Sequence, residues 1–258
     1  MGLDAEYGAL VGARGIGALL AALITTATAA DAACRQALSL GLDVSGSVDL
    51  VEYELQLRGV AGALRDADVQ QAFLSAPDAP VRLHVFEWAG MNTQRVVIDW
   101  IEIDSAATLA AVADRLDSQP VLRTSDAGTA LGAAIVYGAE ALATQGDCWV
   151  HTLDISSDGM SNTGPRPDEV AGHPALAGIT VNGLVIGNVG PRRSVNRQRE
   201  LLALARYFRD QVIRGPGAFV EIAQNYAAYQ ETMARKLLRE LETLAIGAVP
   251  AQSPESAG

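Results

Sequence analysis

The sequence has 258 residues, of which 49% are hydrophobic and 19% are charged, and its formal net charge is −11. This length and composition fit one α/β domain of ordinary size with appendages, and they exclude a chain that is disordered throughout. Of the 19 basic residues only Lys236 is a lysine, and the arginines are scattered, so we expect no nucleic-acid partner.

The amino-terminal segment has the pattern of a secretory signal peptide. Arg14 is followed by an apolar run, Gly15–Ile24, and then by small residues. This run is too short for a spanning helix, which needs about 20 apolar residues. We therefore expect residues 1–32 to be removed on export, leaving a periplasmic or secreted protein without a stable membrane span. The tail 249–258 is predicted to be disordered, which leaves 33–248 as the folded domain.

Strand and helix patterns alternate along this domain. An apolar run, Ala37–Leu42, leads into a helical pattern over Leu50–Leu74. Alternating residues over Val81–Phe86 and Gln94–Ile103 predict a hairpin whose second strand is an antiparallel edge. The remaining predicted elements are, in order, helices Ala106–Leu116 and Ala130–Leu142, strand Trp149–Ile155, a helix near Pro167–Leu176, strand Ile179–Ile186, helix Arg197–Phe208, strand Ala218–Ile222 and helix Tyr226–Leu244. This order predicts an α/β, Rossmann-like fold with a mostly parallel six-stranded sheet, helices on both faces and ligands at the carboxyl ends of the strands.

Polar side chains follow the first predicted strand directly, in the run Asp43-Val44-Ser45-Gly46-Ser47. Alternate residues point the same way, so Asp43, Ser45 and Ser47 are expected to converge on one small volume. Hard oxygen donors of this kind suit Mg²⁺, which takes few carboxylates and keeps several waters. The spacing alone is equally compatible with a Ser/Gly turn that caps the next helix.

Two later segments carry further oxygen donors. Thr129 lies at a helix start in Gly128–Ile135, and Asp158 comes just after an apolar strand in Ser156–Gly159. With these three elements in this order, the chain resembles the von Willebrand factor A domain family over roughly Ala37–Leu244. In that family the D-x-S-x-S run, the threonine and the aspartate form a metal-ion-dependent adhesion site (MIDAS).

The runs Asp158–Pro165 and Arg235–Leu241 further resemble a bacterial exported subgroup, domain of unknown function 1194. The resemblance implies a divalent metal, Mg²⁺ or Mn²⁺, held by Asp43, Ser45, Ser47, Thr129 and Asp158. The serine hydroxyls would bind it directly, the carboxylates directly or through water, and the threonine when ligand is present. Two carboxylates leave such a cation short of anionic ligands, so an Asp or Glu of a protein partner would complete its shell.

Three other acidic residues lie near these segments. Glu87 precedes Trp88 at the end of the second predicted strand, and it is interpreted either as a surface acid beside a packing indole or as a residue that tunes ligand choice. Asp126 is interpreted as a helix-entry acid or as a residue that orients the metal ligands. Asp154 lies inside a buried strand, where it needs an arginine partner or backbone hydrogen bonds.

Enzyme motifs are missing from the sequence, so we expect no catalytic activity. His84, His151 and His173 lack zinc-ligand spacing, and there is no G-x-S-x-G elbow, P-loop or dinucleotide turn. The remaining alternative is Mg²⁺-dependent phosphoryl transfer with Asp43 as nucleophile. Phosphatases of the haloacid-dehalogenase type carry a second aspartate two residues on, where this chain has Ser45.

The two cysteines, Cys34 and Cys148, precede Asp43 and Asp158 by nine and ten residues. If both aspartates end neighbouring parallel strands, as the resemblance implies, both cysteines lie at the opposite edge of the sheet. Paired strands are about 4.8 Å apart, within the reach of a disulfide, and export provides an oxidising compartment. We therefore predict a Cys34–Cys148 disulfide, with two unpaired cysteines as the alternative.

Overall fold

The computed structural model describes residues 34–120, 126–187 and 195–247; the predicted signal peptide and tail lie outside this part. Its strands are β1 (Cys34–Asp43), β2 (Val81–Trp88), β3 (Gln94–Ile103), β4 (Cys148–Ser157), β5 (Thr180–Ile186) and β6 (Val220–Ala223). Its α-helices are α1 (Leu50–Leu64), α2 (Ala67–Phe73), α3 (Ala106–Asp117), α4 (Leu131–Ala143), α5 (Val195–Tyr207) and α6 (Tyr229–Gly247). None of these helices combines the length and the apolar character needed to cross a membrane.

The strands form a sheet in the order β3-β2-β1-β4-β5-β6. All neighbours are parallel except β3, which pairs antiparallel with β2 at one edge. The predicted sheet and its antiparallel edge strand are therefore confirmed. Strand order reverses between β1 and β4, and in doubly wound sheets ligands bind in the crevice beyond the carboxyl ends at such a point.

Both faces of the sheet are covered, which explains why its central strand is apolar without a strict alternation. β1 is buried along its whole length. Leu38, Leu40 and Leu42 join an apolar cluster that includes residues of α1, α3 and α6. Cys34 and Ala37, on the other face, join a cluster with residues of α4 and α5.

The prediction of a single helix over Leu50–Leu74 is wrong, because the structure has two helices there, α1 and α2. Asp66 lies between them with extended backbone, and its side chain accepts the backbone N–H groups of Asp68 and Val69. An aspartate at this position is a helix N-cap. The sequence signal for the break was therefore Asp66 itself, within an otherwise continuous apolar pattern.

The predicted helix near Pro167–Leu176 is also wrong. The structure has turns there and one short 3₁₀ segment, Pro174–Leu176. His173 has extended backbone (ψ 132°), as expected for a residue before proline, whose ring disfavours the helical conformation of its predecessor. The apolar spacing in this stretch reflects side chains such as Leu176, which is buried against the sheet although only a short 3₁₀ segment forms there.

The predicted disulfide is confirmed. Cys34 and Cys148 face each other in the register of β1 and β4, their Cα atoms are 4.4 Å apart, and their sulfurs are bonded. The bond joins the amino ends of the two strands. It is therefore at the opposite edge of the sheet from the end of β1 at Asp43.

Candidate metal centre

The candidate site lies where β1 and β4 end side by side. Leu42 of β1 is opposite Ser156 of β4 in the parallel register, so Asp43 and Asp158 leave the sheet at the same edge. This is also the point at which strand order reverses. The topology therefore brings together two aspartates that are separated by more than a hundred residues in the sequence.

The loop after β1 is fixed by hydrogen bonds. Asp43 is fully buried; its Oδ1 accepts the backbone N–H of Ser45 (2.8 Å), and its Oδ2 accepts the hydroxyl of Ser157. The side-chain amide of Gln56 in α1 donates to the Asp43 carbonyl (3.0 Å). A capping box headed by Asp49 then begins α1. This local structure holds the two serines of the loop close to the end of β4.

The five predicted residues are linked by one continuous set of hydrogen bonds. The hydroxyl oxygens of Ser45 and Ser47 are 3.2 Å apart, and Ser47 donates to Oδ1 of Asp158 (2.6 Å). Thr129 Oγ1 donates to Ser45 Oγ (3.2 Å), while Asp43 holds the same serine through its backbone. Ser47 is exposed and Asp158 is partly exposed, so the cluster opens to solvent on that side.

Thr129 is placed by Asn162 rather than by a helix. It lies two residues before α4, and its backbone N–H donates to Asn162 Oδ1 (2.8 Å). The backbone N–H of Asn162 donates to the Thr129 carbonyl (3.0 Å), so the two residues are paired in both directions. Gly128 permits this close approach, because a Cβ there would lie 2.5 Å from Thr163.

Asn162, Ser157 and Gln56 were not predicted as site residues. Gln56 and Asn162 lie outside the three motif segments, and Ser157 lies inside one of them but was not interpreted as a metal ligand. Each of the three holds another residue in place. A signal did exist for Asn162, because it lies in the run Asp158–Pro165 that carries the subgroup resemblance. Gln56 carries no signal beyond being a polar residue on the buried side of α1.

The sequence matches the family DUF1194, a protein of unknown function, over residues 33–245. The chain belongs to this family. The comparison with curated proteins found no match. Because the family description gives no activity, the function of this DUF1194 chain has to be argued from its site.

Solved structures similar to the DUF1194 chain include a von Willebrand factor type A protein, a byssus matrix protein and a pilus adhesin. The von Willebrand factor type A protein is from Catenulispora acidiphila (14% identity, 81% of this chain and 43% of that one, TM-score 0.54). Proximal thread matrix protein 1 from the mussel byssus, with a zinc-occupied MIDAS motif, is 16% identical over 83% of this chain and 48% of that one (TM-score 0.54). The pilus adhesin SpaC from Lactobacillus rhamnosus GG is 12% identical over 81% and 30% (TM-score 0.51).

This chain thus spans less than half the length of each of these proteins. At such low identity the similarity shows the fold alone. The DUF1194 chain has the von Willebrand factor A fold, as its resemblance implied.

Burial and mutual repulsion act on the carboxylates of the site. Burial and, next, the charge of Asp158 together raise the pKa of Asp43 to about 7, against the hydrogen bonds from Ser157 and Ser45. Burial also raises the pKa of Asp158, with the hydrogen bond from Ser47 opposing. A divalent cation between the two groups would favour their charged forms.

The donor set fits a hard divalent cation. Among the described residues, no group of three or more His, Cys, Asp or Glu side chains is arranged to hold a metal, so any site here depends on hydroxyl oxygens. Mg²⁺ binds oxygens octahedrally at about 2.1 Å, which places neighbouring ligand oxygens about 3 Å apart. The oxygen separations of 3.2, 3.2 and 2.6 Å among Ser45, Ser47, Thr129 and Asp158 are close to that spacing.

Glu87 is not a surface acid, so that interpretation is wrong, whereas Trp88 is buried as expected. The Glu87 carboxylate is fully buried and accepts hydrogen bonds from the Tyr53 hydroxyl (2.6 Å) and from Arg95 Nη2 (2.6 Å). Arg95 also donates to the carbonyl of Pro120 (3.1 Å). Glu87 thus ties β2 to α1 and β3, and its carboxylate does not face the solvent from which a ligand would arrive.

Asp126 packs over Gly90 in the turn between β2 and β3, where an added Cβ would lie 1.8 Å from its Oδ1. Its role in orienting metal ligands stays a prediction. Asp154 has a lysine partner, so neither the arginine nor the backbone hydrogen bonds expected for it are found among the described residues: Lys236 Nζ lies 2.8 Å from Asp154 Oδ2. This pair joins α6 to β4 four residues before Asp158.

Proposed function

We propose that this chain is an exported binding module that docks an acidic group of a protein partner through a divalent metal. The metal, Mg²⁺ or Mn²⁺, would be held by Asp43, Ser45, Ser47, Thr129 and Asp158. The observation that carries the proposal is the continuous set of hydrogen bonds that links these five residues at the point of strand reversal. Hard oxygen donors favour these two metals.

The charge of the donor set explains why the ligand would be acidic. Three of the five donors are neutral hydroxyls, so a bound divalent cation keeps an affinity for one more anionic oxygen. Ser47 and Asp158 lie on the open side of the cluster, where a partner carboxylate can arrive. Asp43 would contribute its charge from the buried side, since both of its oxygens already accept hydrogen bonds.

The similar structures support an adhesion-type role. One is a pilus adhesin, and another has a zinc-occupied MIDAS motif. Export is supported by the signal-peptide pattern of residues 1–32 and by the Cys34–Cys148 disulfide, a bond that forms in oxidising compartments. The alternative of phosphoryl transfer is disfavoured, because a fully buried Asp43 with both oxygens engaged is poorly placed to attack phosphorus.

Mg²⁺ is expected to stabilise the folded chain through mass action. At ten times the dissociation constant, the free energy of unfolding should rise by about 1.4 kcal/mol, and calorimetry with and without chelator measures the shift. The shift should vanish in Asp43→Ala and remain in Asp68→Ala, which removes an exposed carboxylate on α2. Absence of any shift in the wild type, or an equal shift in Asp43→Ala, contradicts the metal assignment.

Capture of a protein partner from cell-envelope extract is expected to require the metal. Chelator should abolish the capture, and Thr129→Ala should weaken it by about tenfold or more, about 1.4 kcal/mol, because the threonine hydroxyl joins the donor set. Thr144→Ala, an exposed position at the end of α4, is the matched control and should bind as the wild type. Capture of the same protein in excess chelator would argue against the proposal.

A further inference from the structure

A cleft of about 220 Å³ adjoins the candidate metal centre. It lies between the segment after β4, the end of β5 and the helix α5. Asp158 and Gly159 line it on the side of the metal centre. Because Asp158 belongs to both, the cleft and the oxygen cluster form one continuous surface.

Apolar side chains form one wall of the cleft. Ile186, at the end of β5, and Leu201 and Leu204, on one face of α5, form its buried wall. Met160 lies at its lip with 43% of its surface exposed. An engineered cavity of about 150 Å³ lined by such side chains holds a benzene molecule. The cleft therefore has the size and lining to take one leucine or methionine side chain.

The surroundings of the cleft indicate contact with a protein rather than with a solute. Five of the eight large apolar side chains that the described residues expose lie at this edge of the sheet, namely Leu50, Val51, Met91, Met160 and Val195. They begin α1 and α5, or lie in the segments after β2 and β4. In a chain with a net charge of −11, exposed apolar residues concentrated at one edge of the sheet mark an interaction surface.

The charges at the mouth favour an uncharged occupant. Arg197 and Glu200 of α5 line the cleft beside the apolar wall. Asp158 also lines the cleft, but its charge is assigned to the proposed metal, so Arg197 and Glu200 leave one positive and one negative side chain and no net attraction for either sign of charge. A lysine or aspartate inserted here would lose its hydration against Leu201 and Leu204, whereas an aliphatic side chain would gain from burial.

We propose that this cleft is a specificity pocket for an aliphatic side chain that neighbours the metal-binding carboxylate in the partner. The inference rests on the proposed function, because the carboxylate is taken to bind at Asp158 and its neighbours. The partner is thereby defined as a protein segment with Asp or Glu next to Leu, Ile or Met. The apolar residues around the site would cover the rest of that segment.

Immobilised synthetic peptides test the pocket directly. Each carries one central Asp or Glu, and the positions on either side are Leu, Ser or Lys. With the full chain and Mg²⁺, we expect about tenfold tighter retention of the leucine peptides than of the serine peptides, since one buried aliphatic group gives discrimination of about tenfold or more. Met160→Ser should reduce this preference at least threefold, which corresponds to about 0.7 kcal/mol.

Leu202→Ser is the matched control, because Leu202 is half exposed on α5 and does not line the cleft. It should keep the full preference for leucine. Metal-dependent retention of all acidic peptides alike would overturn the pocket and leave the proposed function intact. No metal-dependent retention of any peptide would overturn both, and equal retention of the leucine peptides with and without chelator would overturn the link between the pocket and the metal.

Discussion

Replacing Lys236 by methionine is expected to lower the free energy of unfolding by about 3 to 5 kcal/mol, because it leaves two buried carboxylates without a cation. Lys236 is fully buried on α6, with its Nζ 2.8 Å from Asp154 of β4 and 2.5 Å from Glu240. Asn182 of β5 donates a further hydrogen bond to Glu240 (2.7 Å). The cluster therefore joins the last helix to the two strands beside the metal centre.

Urea denaturation of the full chain, in chelator, measures this loss. Arg235→Met is the matched control one residue away, since it removes a half-exposed ion pair with Glu231. Exposed pairs of this kind contribute about 1 kcal/mol or less. Equal losses in Lys236→Met and Arg235→Met would contradict a structural role for the buried cluster.

Asp154→Asn provides a second test of the buried cluster, because it leaves the ammonium of Lys236 paired with the carboxylate of Glu240 alone. It should destabilise the chain less than Lys236→Met does. Burial raises the pKa of Asp154 to about 7, although the charge of Lys236 opposes this. In the unfolded chain the pKa of Asp154 is about 4, so folding takes up a proton at Asp154 between about pH 4 and about 7. The stabilisation that this proton gives is complete below about pH 4 and is lost as the pH rises to about 7. The fall in stability over this range should be smaller in Asp154→Asn, and an identical slope would count against the assignment.

Local sequence patterns were sufficient to predict the strands and helices that depend only on residues close to one another in the sequence. The strands and the antiparallel edge follow from apolar runs and alternation, and Asp43 marks the end of β1 because a polar residue follows a buried strand. The two wrong helix predictions arise where a capping or proline residue overrides apolar spacing, at Asp66 and Pro174. These are conflicts between two local signals, and the stronger backbone constraint prevails.

Partners distant in sequence could not be predicted in the same way. The need of Asp154 for a counter-charge followed from its burial, but Lys236 is 82 residues away, and nothing in the sequence distinguishes it from an arginine as a partner. Glu87 illustrates the same limit, because its burial depends on Tyr53 and Arg95 arriving from α1 and β3. The five residues of the candidate metal centre could be grouped only because the family resemblance links three segments that the fold then brings together.

Removing the disulfide is expected to lower the free energy of unfolding by about 4 to 5 kcal/mol in the chain-entropy account. Cys34 and Cys148 are separated by 114 positions, so the bond restricts a long loop in the unfolded chain. The double variant Cys34→Ala/Cys148→Ala measures this effect by urea denaturation of oxidised protein. A reducing agent should destabilise the wild type and leave the double variant unchanged.

The single variants distinguish the cross-link from simple packing. Either cysteine replaced alone breaks the same bond, so each single variant should lose nearly as much stability as the double variant, within about 1 kcal/mol. Two independent packing contributions would instead add. β1 spans about 30 Å from Cys34 to Asp43, at about 3.3 Å per residue, so the stabilisation by Mg²⁺ should be the same with and without the bond. Additive single losses would refute the cross-link account, and loss of the Mg²⁺ effect in the folded double variant would show that the two ends of β1 are coupled.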